Sequence, residues 1–101
     1  MQVVLPTDVK AMLKDGSELA LLDVREEGAY AQGHLFYAVS TPLSRIEFFI
    51  ESRVPRKTAR IILIDDGSGL SERAHKVLTL LGYKNLSIMV GGTPAWKRSG
   101  Y

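Results

Sequence analysis

The residue types best suited to chemistry lie together in Asp65-Asp66-Gly67-Ser68-Gly69-Leu70-Ser71, two adjacent carboxylates followed by two glycines and two serines. Carboxylates at such a point can act as acids, bases, nucleophiles or metal ligands. The preceding run Ile61 to Ile64 has no polar alternation and reads as a central strand covered on both faces. After the loop, Ala74, Val77, Leu78 and Leu81 recur at helical spacing. In a strand, tight loop and helix, the first free N–H groups of the helix converge with the loop backbone just beyond the strand's carboxyl end and make an anion cradle. Asp65, the first residue past the strand, is expected at its floor, a place suited to a thiolate nucleophile. Here the floor carries a carboxylate, and the chain has no cysteine.

Other titratable candidates are sparse. Asp23 and Arg25 flank Val24 at the end of an apolar run, and a charge is rarely buried without a partner, although the sequence does not say which partner Arg25 takes. His34 lies beside Gly33 and reads as a hydrogen-bonded fold residue rather than a base or ligand. His75, four residues after Ser71, reads as solvated helix surface. Two histidines without helical pairing and no cysteines predict no metal site, and no motif calls for a cofactor.

The elements that must position these residues alternate along the chain. Val3 to Leu5 suggest a short edge strand. Pro6 and Thr7 open a helix with Val9, Met12 and Leu13 on one side, stopped by Asp15 and Gly16. Leu19 to Leu22 make a buried strand, and Glu26 to Gln32 a brief helix closed by Gly33. Ala38 to Ser40 suggest another short strand, and Ser44 with Glu47 matches a capping box for a helix reaching about Glu51, with Ile46, Phe49 and Ile50 as its apolar stripe. Arg53, Arg56, Lys57 and Arg60 read as a solvated connection, with a patch for acidic partners as the alternative. Gly82 caps the central helix, Leu86 to Val90 form the last strand, and Gly91, Gly92, Thr93 and Pro94 lead into a helical turn bearing Trp96. This order predicts an α/β fold with a mostly parallel sheet of about five strands and helices on both faces. In such sheets ligands bind beyond the strands' carboxyl ends, which again selects the Asp65 loop.

Composition narrows the function by exclusion. At 101 residues and 46% hydrophobic content the chain is one domain. With 24% charged residues and a formal charge of +2, nothing favours nucleic acid or membrane as a partner. Met1 to Leu5 lacks the pattern of a secretory signal, no apolar run is long enough for a membrane span, and a cytoplasmic location is the default expectation.

Three segments together, LLDVREEGAYAQGHL (Leu21 to Leu35), the unit from Ile61 to Leu81, and VGGTPAW (Val90 to Trp96), resemble a rhodanese domain over nearly the whole chain. In that family the strand ends in a cysteine and a serine near the loop's end begins the helix. Taking Ser71 as that serine puts Asp65 on the cysteine position. The resemblance implies that Asp23, Arg25 and His34 are structural and that Gly91 and Gly92 lie beside the active-site loop, with Trp96 in the core. The chain departs from the family at Ala29, where glutamate is common, at Phe36 and Tyr37, which replace Pro and Gly, and at Leu70, a position often basic.

Sulfur transfer in the rhodanese manner needs a polarisable nucleophile, which a carboxylate is not. The expectation is a rhodanese-like domain, residues 1–101, without catalytic activity of its own. It would serve a structural, regulatory or partner-binding role beside another rhodanese domain or another protein, with Asp65 either filling the cradle as a built-in anion or merely capping the strand end towards solvent. One alternative is that it shapes the active site of a cysteine-bearing sister domain in a longer tandem sulfurtransferase. The other is phosphoryl-transfer or hydrolase chemistry at Asp65, since ILIDDG resembles the acidic pair of receiver domains and LALLDV their phosphoacceptor strand, although in the reverse order.

Overall fold

A computed structural model describes residues 2–101. Five strands, β1 (Gln2–Val4), β2 (Ala20–Asp23), β3 (Val39–Ser40), β4 (Ile61–Ile64) and β5 (Leu86–Met89), form one parallel sheet in the order β1-β5-β4-β2-β3. The helices between and after them are α1 (Pro6–Met12), α2 (Glu27–Gln32), α3 (Ile46–Arg53), α4 (Leu70–Leu80) and α5 (Gly92–Arg98), with a 3-10 turn at Leu43–Arg45 ahead of α3. β4 is central, and each of its four residues is fully buried. That is why its sequence shows no alternation: both faces are covered.

Alternate residues feed two cores. Leu22, Ile61, Leu63, Leu86 and Ile88 face Ile46 and Ile50 of α3 and Ala74 and Leu78 of α4. On the opposite face Leu21, Ile62, Ile64 and Met89 meet Val9 of α1, Leu35 and the partly buried Trp96 of α5. The chain moves one way across the sheet from β1 to β3 and the other way from β3 to β5, so right-handed crossovers send the connections after β2 and β4 to opposite faces. A crevice therefore opens between the carboxyl ends of those neighbouring strands.

Two local expectations are corrected. Ser44 does not form a capping box with Glu47. Arg45 occupies the N-cap of α3, and the Ser44 hydroxyl instead donates to both carboxylate oxygens of Glu26 at 3.0 Å. Leu81 falls just beyond α4 and is 38% exposed, so the buried stripe ends at Leu78. The basic run after α3 is the solvated connection expected, and surface ion pairs tie it down: Arg56 with Glu18, Lys57 with Glu51 and Arg60 with Asp15.

Behind α4, Gly82 adopts φ 98° and ends the helix. Its N–H donates to the Thr79 carbonyl and that of Tyr83 to the Leu78 carbonyl, the reciprocal pattern of a Schellman cap. The Tyr83 hydroxyl, buried, donates to the Val54 carbonyl at 2.6 Å.

Replacing Tyr83 with Phe leaves that carbonyl without its side-chain donor and is expected to cost about 1–3 kcal/mol in urea unfolding, with an unchanged denaturant slope. Hydrogen bonding from Arg60 and from the Ser17 N–H holds the Asp15 carboxyl down at about 2. In an NMR titration Asp15 is expected to move back towards ordinary aspartate values in Arg60→Gln.

Candidate functional site

The site is built at the carboxyl end of β4. Asp65 follows Ile64 directly and is 5% exposed. Its side chain turns back under the loop, where Oδ1 accepts the Gly67 N–H at 2.8 Å and Oδ2 accepts the Ser71 N–H at 2.9 Å. Ser71 is the second residue of α4, so its N–H is one of the donors that a helix start leaves open. The N-cap residue, Gly69, sits at φ 89° and has no side chain with which to cap. Asp65 performs that office from six residues away, and the positive end of the helix favours its charge. Leu70 and Gly69 are half-buried, while Gly67, Ser68 and Asp66 lie on the surface.

Asp66 points away from the cradle. Its Oδ1 accepts the Ser68 N–H at 3.1 Å. Hydrogen bonding with Ser68 holds its carboxyl below the usual range, and the Arg25 charge acts in the same direction. The loop thus brings its two aspartates to different environments, one enclosed and one exposed.

Asp23 and Arg25 stand across the crevice, on the neighbouring strand end. Arg25 Nε and Nη2 donate to both oxygens of the fully buried Asp23 at 2.7–3.2 Å, and Nη2 also reaches the Gly33 carbonyl at 2.7 Å. The fork geometry satisfies a buried carboxylate and pins the end of α2 to the sheet. His34 stacks on Tyr30, ring centroids 3.8 Å apart, with Nδ1 2.8 Å from the Leu35 carbonyl. Between α2 and α5 a hollow of about 480 Å³ is lined by Arg25, Gln32, Asp66, Thr93 and Lys97 among others. His75 lies about one turn past Ser71 on α4 and is half-buried, with desolvation lowering its pKa.

The glycine pair closes the other side of the cradle. Gly92 adopts φ 61°, and a β-carbon there would overlap the Asp65 carbonyl oxygen and lie 3.1 Å from Oδ1. The residue that sequence reasoning passed over is Thr93. Its N–H donates to the Asp65 carbonyl at 2.8 Å, locking α5 to the end of β4, and its own hydroxyl is buried without a partner among the described residues. Only the position of Thr93 directly after two glycines hinted at so close an approach. The Ser71 hydroxyl is likewise buried and unpartnered. The described residues contain no group of three or more acidic or histidine side chains placed to hold a metal, and none of their helices is long and apolar enough to cross a membrane.

Gly92→Ala is expected to displace the Asp65 backbone and destabilise the domain by about 2–4 kcal/mol, combining left-handed strain with overlap. The amide resonances of Gly67, Ser71 and Thr93 should shift most.

The geometry has counterparts in known proteins. The sequence profile of the Rhodanese-like domain matches residues 5–99. SseB of Mycobacterium tuberculosis, which carries a provisional name as a thiosulfate sulfurtransferase, is 29% identical over 121 aligned positions covering 92% of this chain and 43% of its own. The chain thus spans less than half the length of the curated relatives it matches. A crystal structure of a thiosulfate sulfurtransferase from Pseudomonas aeruginosa superposes with a TM-score of 0.94 at 43% identity, covering 99% of this chain and 19% of that one. The Alr3790 protein of Anabaena follows the same fold at a TM-score of 0.87 and 26% identity, over 96% of this chain and 87% of its own. This chain belongs to the rhodanese-like domain family.

Proposed function

We propose that this rhodanese-like domain does not itself transfer sulfur and acts as a structural or binding companion to a cysteine-bearing sulfurtransferase domain. The observation that carries the reading is the Asp65 carboxylate, which fills the cradle at the head of α4 with both oxygens engaged by backbone N–H groups. The resemblance puts Asp65 where the family's cysteine would stand, and this chain has no cysteine.

Rhodanese-type transfer requires a nucleophile that attacks a sulfane sulfur, carries it as a persulfide and passes it to cyanide or a thiol. Carboxylate oxygens are hard and poorly nucleophilic towards sulfur. The loop adds a second deterrent, since Asp65 and Asp66 together repel an anion such as thiosulfate, and Leu70 brings no positive charge. Support for a companion role comes from size: relatives named for thiosulfate transfer are much longer than the matched region, which takes up 43% of SseB and 19% of the Pseudomonas chain. In a longer parent the domain would shape or shield an active site built elsewhere.

Phosphoryl chemistry finds less support. Asp23 is held by Arg25 and Asp65 by the loop backbone, so neither presents a free oxygen pair to a cation or a phosphoryl group.

The decisive measurement is thiocyanate formation from thiosulfate and cyanide. The wild type is expected to stay at the buffer rate, and turnover by it overturns the proposal. Asp65→Cys is expected to acquire slow turnover because Gly67 and Ser71 then face a thiolate. Magnesium-dependent labelling by a small phosphodonor, abolished in Asp65→Asn, would also count against the reading.

A further inference from the structure

We propose that the hollow enclosed by α1, α5 and the turn at residues 34–37 is a binding site for a flat aromatic carboxylate. It lies on the face of the sheet away from α4 and includes none of the residues 65–71, so it stands or falls independently of the role given to Asp65.

The hollow encloses about 350 Å³, within the range of small-molecule sites. Its floor is apolar, formed by the buried Leu21 and Leu35. Its walls are aromatic. Trp96 and Tyr101 meet edge to face at 4.9 Å, and Phe36 and Tyr37 do the same across the opening. Phe36 is 86% exposed and Tyr37 64%. Two adjacent rings left in water at the mouth of a concave apolar surface are costly unless they contact something, and they stand where the family usually has Pro and Gly.

Charge distinguishes this hollow from the others. Four further hollows among the described residues each contain a carboxylate: Asp66, Glu18, Glu26, or Asp65 with Glu72. This one is lined by no acidic side chain; Lys10 lines it, as does Lys97, which it shares with the hollow that holds Asp66. Neither lysine makes an ion pair among the described residues. Lys10 Nζ lies instead 5.1 Å from the Tyr101 ring centroid and 6.0 Å from that of Trp96, held over the aromatic wall. Thr93 also lines the hollow, as it does the neighbouring one that holds Asp66.

Flat apolar walls select a ring, and the Lys10 ammonium held over them, with no acidic side chain in the lining, selects an anion on it. A neutral ligand of the same shape forfeits the charge-assisted bonds, and a cationic one meets repulsion from both lysines.

The test is an amide NMR titration of the chain with 2-naphthoate, 2-naphthalenemethanol and 2-naphthylmethylammonium, with fluorescence of Trp96, the single tryptophan, as a second readout. Saturable shifts are expected at Lys10, Leu35, Phe36, Thr93 and Lys97, with naphthoate binding about tenfold or more tighter than the alcohol. A Lys10→Gln, Lys97→Gln double variant should remove that preference while keeping a dispersed spectrum. Equal binding of the three probes, shifts centred on residues 65–71, or no saturable shift up to the probes' solubility would overturn the proposal, and the probe comparison decides even if the double variant does not fold.

Discussion

A single residue, through its carboxylate and its carbonyl, joins three elements of this fold. Asp65 ends β4, caps α4 through the Ser71 N–H and receives at its carbonyl the Thr93 N–H that starts α5. Helix starts normally recruit a cap from the residue immediately before them. Here the residue before α4 is glycine in a left-handed conformation, and the cap comes from the strand floor instead. The arrangement exploits the concentration of N–H groups and helix dipole that makes such loops attractive to anions, but it spends that attraction internally.

The neighbouring strand end follows the same logic with a different partner. Asp23 is removed from water altogether, which is tolerable only because Arg25 meets it with a fork of donors. Both carboxylates at the crevice are therefore satisfied from within the chain. Several lysines and arginines make no ion pair among the described residues, and two of them, Lys10 and Lys97, line the aromatic hollow between α1 and α5.

Much of this was legible beforehand. The continuous apolar run Ile61 to Ile64 announced a central strand, because only a strand covered on both faces can dispense with alternation. A structural role for Asp23 and Arg25 was implied by the resemblance, but that they bond to each other was not legible, since the departure at Ala29 left the partner of Arg25 open. Less legible were features set by distant partners. Ser44 carried a capping-box signature, yet Glu26, eighteen residues earlier, offered its hydroxyl a stronger acceptor. The ion pairs of Arg56 and Arg60 with Glu18 and Asp15 join segments about forty residues apart and leave no local pattern. Thr93 looked like an ordinary turn residue because its importance lies in a backbone N–H, which every residue but proline possesses.

The sheet's margins have a consequence for assembly. Its two outer strands, β1 and β3, are three and two residues long, and β3 offers only Val39 and Ser40 to a neighbour. Margins so brief give an incoming chain almost no ladder to extend, which guards against runaway cross-strand polymerisation. Repeated copies of such a module strung along one polypeptide would remain separate beads, touching through loops and helices rather than fusing into a wider sheet.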